Sequence, residues 1–107
     1  MARKRITKKV TTLVRDYVQS LKKSGVVVSD AYIFGSQARG TAHSSSDIDV
    51  CIISPQFKNP HDALRTLWRK KTITFSQIEP VGYSKKNFDE FSNPLVSEIK
   101  KNHVRVI

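Results

Sequence analysis

Residues 35 to 49 read GSQARGTAHSSSDID, and the fold and the site both depend on this stretch. An apolar run at residues 32 to 34 leads into it, and a second apolar run at residues 50 to 53 leads out of it. Apolar runs rich in β-branched and aromatic residues and bounded by glycine or serine are typical of short strands. The pattern therefore predicts a strand, a turn with a short helix, a polar loop and a second strand.

Gly35 and Ser36 follow the first predicted strand directly. Glycine adopts backbone angles closed to other residues, so the chain can turn sharply and bring N–H groups close to a ligand. Free N–H groups at the start of a helix attract phosphate. Arg39, almost one helical turn further on, is placed to donate two hydrogen bonds to phosphate oxygens. Gly40 suits the end of the helix. These residues predict a turn that binds phosphate.

Asp47 and Asp49 occupy alternate positions of the second strand. Side chains alternate between the faces of a strand, so both carboxylates point the same way, roughly 6–7 Å apart. Ile48, Val50 and Ile52 are predicted to face away from them and to pack against helices. Two carboxylates that face one space repel each other, and Mg²⁺, which takes oxygen ligands and shares them with substrate phosphates, would relieve that repulsion.

Gly35-Ser36, ten further residues and the Asp-Ile-Asp of residues 47 to 49 resemble the signature of the nucleotidyltransferase superfamily related to DNA polymerase beta. The Ala-Arg-Gly of residues 38 to 40 and the Ser46-Asp47 pair resemble its minimal nucleotidyltransferase branch. The resemblance runs from about residue 10 to the C-terminus. It implies an α/β (α+β) fold, with a small mixed sheet of three to four strands packed with helices.

The resemblance also implies a site with two Mg²⁺ ions and ATP as the substrate. A third carboxylate comes from a neighbouring strand in this superfamily, and residues 77 to 80, Gln-Ile-Glu-Pro, resemble that place. Ser46 is expected to orient Asp47. The implied catalytic and metal-binding residues are Asp47, Asp49 and Glu79, and the implied nucleotide-binding residues are Gly35, Ser36, Arg39 and Ser46.

Proteins of the minimal branch are often antitoxins paired with a helical HEPN-domain ribonuclease toxin. The implied reaction moves AMP from ATP onto a tyrosine of that toxin. One departure from the family pattern is Gln37, at a position that is often basic or aromatic. The loss of that phosphate contact leaves a second hypothesis open, in which the protein neutralises a partner by contact with little or no catalysis.

The chain has 107 residues, enough for one domain, predicted to span residues 1–107. Its net charge of +10 predicts an anionic partner: nucleotide, nucleic acid or an acidic protein. The basic helix from Lys4 to Lys23 supports a third hypothesis, RNA binding. No apolar run approaches the roughly 20 residues of a membrane span, and no signal region follows the basic N-terminus. Together with the single Cys51, predicted to be buried, these features favour a cytoplasmic protein; self-association is left open.

Apolar spacing and capping residues predict the remaining elements. Tyr17, Leu64 and Trp68 are expected in the core, and Asn102 is expected to close the last helix in a left-handed turn. Four helices are predicted. The first covers residues 4–24, the second starts at Asn59-Pro60, the third runs from Ser84 to about Phe91, and the fourth starts at Asn93-Pro94. The predicted strands cover Val26–Phe34 with an irregularity at Ser29-Asp30, residues 47–54, Ile73–Val81 and Val104–Ile107.

Overall fold

The computed structural model describes residues 6–43 and 46–107. No helix in these ranges is long and apolar enough to cross a membrane. The elements, in chain order, are α1 Lys8–Lys23, β1 Asp30–Phe34, α2 Ser36–Arg39, β2 Ile48–Ile53, α3 Pro60–Arg69, a 3₁₀ turn Ile73–Phe75, β3 Ile78–Tyr83, α4 Lys85–Glu90, α5 Pro94–Lys101 and β4 His103–Arg105.

The four strands of the described residues form one mixed sheet in the order β3-β2-β1-β4. β1 is antiparallel to both β2 and β4, whereas β2 and β3 run parallel. Phe34 pairs with Asp49 at the end of β1, and Asp49 pairs with Glu79 across to β3. The register alone therefore brings the last residue of β1, Asp49 of β2 and Glu79 of β3 to the same end of the sheet.

Helices cover both faces of the sheet, as the predicted α/β fold class requires. On one face α1 and α3 pack against Ile48, Val50 and Ile52. On the other face α4 and α5 pack against Cys51 and Ile53. β2 is thus buried on both sides, which explains its continuous apolar sequence. The predicted orientation of residues 48, 50 and 52 away from the aspartates is confirmed.

Side-chain caps start the helices where the sequence predicted them. Asn59, Ser84 and Asn93 each accept a hydrogen bond from the backbone N–H three residues on, which satisfies one of the unpaired N–H groups of the first turn. Tyr17 lies in the core as predicted, and its hydroxyl donates to the carbonyl of Leu67 at 3.0 Å. That bond joins α1 to α3 across the buried face.

The free edge of β3 is covered by two side chains, one from the last turn of α3 and one from the residues just after it. Trp68 Nε1 donates to the Pro80 carbonyl at 3.1 Å, and Lys71 Nζ donates to the Ile78 carbonyl at 2.8 Å. Lys71 Nζ also lies 3.9 Å from the centre of the Trp68 ring. The predicted burial of Leu64 and Trp68 is wrong, because they are 39% and 44% exposed. Trp68 is exposed because its indole reaches over the sheet edge to a polar partner.

All four strands are shorter than predicted, and β1 and β3 also begin several residues later. Residues 26 to 28 are not part of β1, because the Gln56 side chain takes the Val27 N–H that a neighbouring strand would need. The third strand begins at Ile78 rather than Ile73. Its first part is a 3₁₀ turn that buries Phe75 and leaves Ile73 exposed, so residues 73 to 79 do not share one strand face.

The helix ends differ from prediction in smaller ways. α1 begins at Lys8, where the Thr7 side chain caps it, and ends before Gly25, which has a φ of 98° as expected for that position. Lys4, part of the predicted basic helix, lies outside the described residues, as do Ser44 and Ser45 of the loop. Asn102 is extended, with φ −135° and ψ 93°, rather than left-handed, because the chain passes directly into β4.

Gly82 allows β3 to approach α3 and the loop after β2. A Cβ at this position would lie 2.6 Å from the Phe57 ring and 2.9 Å from the Ala63 Cβ. We therefore expect Gly82→Ala to lower the free energy of unfolding by about 1–3 kcal/mol through overpacking. Urea unfolding measures this loss, and a Phe57→Leu/Gly82→Ala double variant should recover part of it relative to the sum of the single variants. Additive losses would show that the ring is not the obstacle.

Candidate active site

The turn after β1 lies directly against the Asp49 carboxylate. Gly35 has a φ of 70°, a left-handed value that favours glycine. A Cβ built there would overlap Asp49 Oδ2, so no other residue fits without displacing that carboxylate. α2 then begins at Ser36 and ends at Gly40, which is left-handed. The predicted strand, turn, short helix and glycine stop are all confirmed.

Glu79 comes from the strand beside β2, as the sequence predicted. Its carboxyl group lies close to that of Asp47, near enough for a hydrogen bond between them when one of the two is protonated. Burial, that hydrogen bond and the negative charges of Asp47 and Asp49 raise the pKa of Glu79, whereas the nearby Lys71 ammonium opposes the shift. Two neighbouring carboxyl groups favour a proton or another positive charge between them.

Asp49 belongs to the same electrostatic group. Burial raises the pKa of Asp49, the charge of Asp47 raises it further, and the Arg39 guanidinium lowers it. The structure therefore brings Asp47, Asp49 and Glu79 within electrostatic reach of one another. Arg39 lies on the α2 side of this cluster and Lys71 on the β3 side.

Arg39, predicted to bind phosphate, is held by the C-terminal helix. Its Nη1 donates to Glu98 Oε2 at 2.9 Å. Val96 and Ile99, on either side of Glu98 in α5, are fully buried beneath the same sheet face as Asp49. The guanidinium is about half exposed and therefore stands at the rim of the carboxylate cluster, anchored from one side.

Ser46 is connected to the loop before it. Its hydroxyl accepts the N–H of His43 at 2.9 Å, and its own N–H donates to the His43 carbonyl at 2.9 Å. The Ser46 carbonyl accepts from the Gln77 side chain at 2.8 Å, which ties the loop to the residue before β3. The Ser46 hydroxyl thus bonds within the loop, so the expectation that it orients the Asp47 carboxylate is not confirmed. Its predicted role in nucleotide binding stays a prediction.

Gln37 lies away from the carboxylate cluster. Its side chain is buried and helps to line a cavity of about 370 Å³. The cavity is lined on its other sides by α1, by the loop before β2 and by the start of β2: Thr7, Lys9, Val10, Leu13, Ala42, His43, Ile48 and Gln77. Since Ile48 faces α1 and α3, Gln37 belongs to the opposite face of the sheet from Asp49.

The donor set suits a divalent cation. All three carboxyl groups offer oxygen. Burial first, and then the charge of neighbouring carboxylates, raises the pKa of Asp49 and of Glu79, and bound Mg²⁺ would offset that repulsion. Within residues 6–43 and 46–107, however, no group of three or more His, Cys, Asp or Glu side chains is already arranged to hold a metal ion. The carboxylates would have to separate from their mutual contact to bind one.

Two residues of this region were not predicted. Glu98 lies 59 positions from Arg39, and nothing local in the sequence signals such a pair. Lys71 was counted only as part of the general positive charge. Its proximity to Glu79 arises because the residues after α3 fold back along the edge of β3, whereas the sequence predicts a straight strand from Ile73.

Comparison with known proteins finds one family model and several solved structures that resemble this chain. The family model described as a nucleotidyltransferase domain matches residues 13–107. A candidate nucleotidyltransferase from Sulfolobus solfataricus is 21% identical, with 91% of this chain and 78% of that chain covered and a TM-score of 0.66. A toxin–antitoxin complex with AMP-PNP contains a chain that is 18% identical, with 91% and 72% covered and a TM-score of 0.62.

A mutant of the MntA–HpeT toxin–antitoxin complex is also similar, at 15% identity, with 87% and 71% of the two chains covered and a TM-score of 0.60. No curated protein matches the sequence significantly. At these identities the structural likenesses establish the fold, and the family model covers most of the chain, including the complete stretch from Gly35 to Asp49. The predicted fold class and the assignment as a transferase are therefore confirmed, and the chain belongs to the nucleotidyltransferase domain family.

Proposed function

We propose that this protein transfers AMP from ATP to a hydroxyl group on a partner protein, a tyrosine of a HEPN-type toxin, and so acts as an antitoxin in the cytoplasm. The observation that carries the proposal is the carboxylate cluster of Asp47, Asp49 and Glu79 against the Gly35 turn. The fold likeness to one toxin–antitoxin complex with AMP-PNP and to another named MntA–HpeT supports the choice of nucleotide and partner.

The chain contributes mainly position and electrostatics to this reaction. Asp47, Asp49 and Glu79 would hold Mg²⁺, which when bound lowers the pKa of the attacking hydroxyl and stabilises the pyrophosphate that leaves. Gly35 and Ser36 would hold the triphosphate against the start of α2. Arg39, anchored by Glu98, would offset its negative charge. No covalent intermediate on the protein is required.

A labelled-nucleotide assay tests the proposal. The protein is given each of the four NTPs with Mg²⁺, with and without the purified HEPN-domain partner. We expect label from ATP to move onto the partner, and an Asp47→Asn/Asp49→Asn variant to transfer none. If no NTP gives label while the partner is still bound and inhibited, the enzymatic proposal fails, and the protein neutralises its partner by contact alone.

The repulsion within the cluster predicts a gain of stability on removal of one charge. A carboxyl group whose pKa is raised on folding stabilises the fold fully below its unfolded pKa, and this contribution is lost as pH rises through the folded pKa. At neutral pH and without metal, Asp47→Asn should therefore raise the Tm by a few degrees, because an amide can donate to Glu79. The gain should shrink in acid, where Glu79 and Asp49 are protonated.

Thermal unfolding in EDTA at several pH values measures this effect. Asp16→Asn is the matched control, since Asp16 is an exposed carboxylate on α1 outside the cluster. A decrease in Tm for Asp47→Asn at neutral pH, or the same increase for Asp16→Asn, would contradict the proposed repulsion. Added Mg²⁺ should raise the Tm of the wild-type protein but not that of Asp47→Asn.

The contact between Gly35 and Asp49 gives a second test of the site. Gly35→Ala would force the Asp49 carboxylate aside, and a displacement of about 1 Å costs about 10²-fold in rate. Gly25→Ala is the control: its φ of 98° brings the same left-handed strain, but a Cβ there meets nothing within 4 Å. Both variants should lose some stability, and only Gly35→Ala should lose transfer. Equal transfer by the two variants would exclude Asp49 from the reaction.

A further inference from the structure

We propose that the α3–β3 surface, formed by Leu64, Arg65, Trp68, Lys71 and Ile73, docks the protein acceptor. The matching face of that partner would combine carboxylates with apolar side chains. The inference rests on the proposed function for the identity of the acceptor and adds where the acceptor binds.

Large apolar side chains are exposed at this surface. Leu64 and Trp68 lie four residues apart on α3, on one helix face, and are 39% and 44% exposed. Ile73, in the 3₁₀ turn that follows, is 90% exposed. A β-branched side chain this exposed gains nothing from the fold of its own chain, and adjacent exposed apolar groups, such as Leu64 and Trp68 on their helix face, mark interaction sites.

The charge at this surface is positive. Between Asp62 and Glu79 the sequence holds no carboxylate and four cations: Arg65, Arg69, Lys70 and Lys71. Arg65 is paired with Asp62 at 3.1 Å but keeps a side chain that is 68% exposed. Apolar groups bordered by cations fit a partner surface with the complementary arrangement, apolar groups bordered by carboxylates.

The surface is continuous with the carboxylate cluster. Trp68 and Lys71 hydrogen-bond to the carbonyls of Pro80 and Ile78, the two neighbours of Glu79 in β3. The Lys71 charge acts directly on Glu79, where it opposes the rise in pKa. A protein docked here would therefore bring its own side chains next to Glu79.

The same observations favour a protein over RNA. Single-stranded RNA binds by stacking bases on aromatic rings, but Lys71 already occupies one face of the Trp68 ring at 3.9 Å. Leu64 and Ile73 offer aliphatic area, which neither a phosphate backbone nor a base edge uses well. An apolar partner side chain would bury both.

Binding of the purified HEPN-domain partner, measured by calorimetry, tests the proposal. Ile73→Asp should weaken this binding about tenfold or more, as expected for a central apolar contact, and leave Mg·ATP binding unchanged. Val27→Asp is the matched control, since Val27 is a 50% exposed valine before β1, outside this surface. Equal affinities of the two variants for the partner would overturn the proposal.

A second pair of variants separates charge at this surface from charge in general. Arg65→Gln should weaken partner binding several-fold and reduce its salt dependence, whereas Arg15→Gln, on α1, should do neither. A single-stranded RNA oligonucleotide is titrated in parallel. If Ile73→Asp and Arg65→Gln weaken RNA binding and spare the partner, the surface binds RNA and the proposal is wrong.

The two proposals can fail separately. Partner binding that depends on Ile73 without any transfer of label would support the docking surface and refute the enzymatic function. Transfer of label that Ile73→Asp leaves unchanged would do the reverse. A wild-type protein that does not bind the partner at all would overturn both the docking proposal and the choice of acceptor.

Discussion

The antiparallel pairing of β1 with β2 is the constraint on which the site depends. Because Phe34 pairs with Asp49, the residue after Phe34 must pass beside the Asp49 carboxylate, and only a residue without a Cβ fits there. The glycine then sets the direction of α2, so one backbone register fixes the turn, the short helix and the carboxylate together. The parallel pairing of Asp49 with Glu79, on the other side of β2, adds the third carboxylate.

This arrangement costs the folded protein electrostatic free energy. Three carboxylates converge, of which Asp49 is partly buried and Asp47 and Glu79 are exposed, and the pKa of both Asp49 and Glu79 is raised. Arg39 and Lys71 reduce the repulsion from opposite sides but do not remove it. A bound cation would lower this electrostatic cost.

Signals that are local in sequence predicted most of the fold. The Gly35-Ser36 turn, the two aspartates and the capping residue Asn59 each act within a few positions, where rules of spacing apply. The failures are nonlocal. Gln56 captures a backbone N–H of the segment before β1, and Trp68 turns to a carbonyl twelve residues away. Neither preference is visible until tertiary contacts bring the groups together.

The closed edge of β3 restricts how a partner can approach the site. An open edge strand invites another strand to pair with it, but Pro80 has no N–H to offer and its carbonyl is already bonded to Trp68. The Ile78 carbonyl is likewise bonded to Lys71. Addition of a strand at this edge would have to break both bonds, so a partner that reaches Glu79 from the β3 side must bind through side chains. The exposed groups that close the edge are the side chains available for that contact.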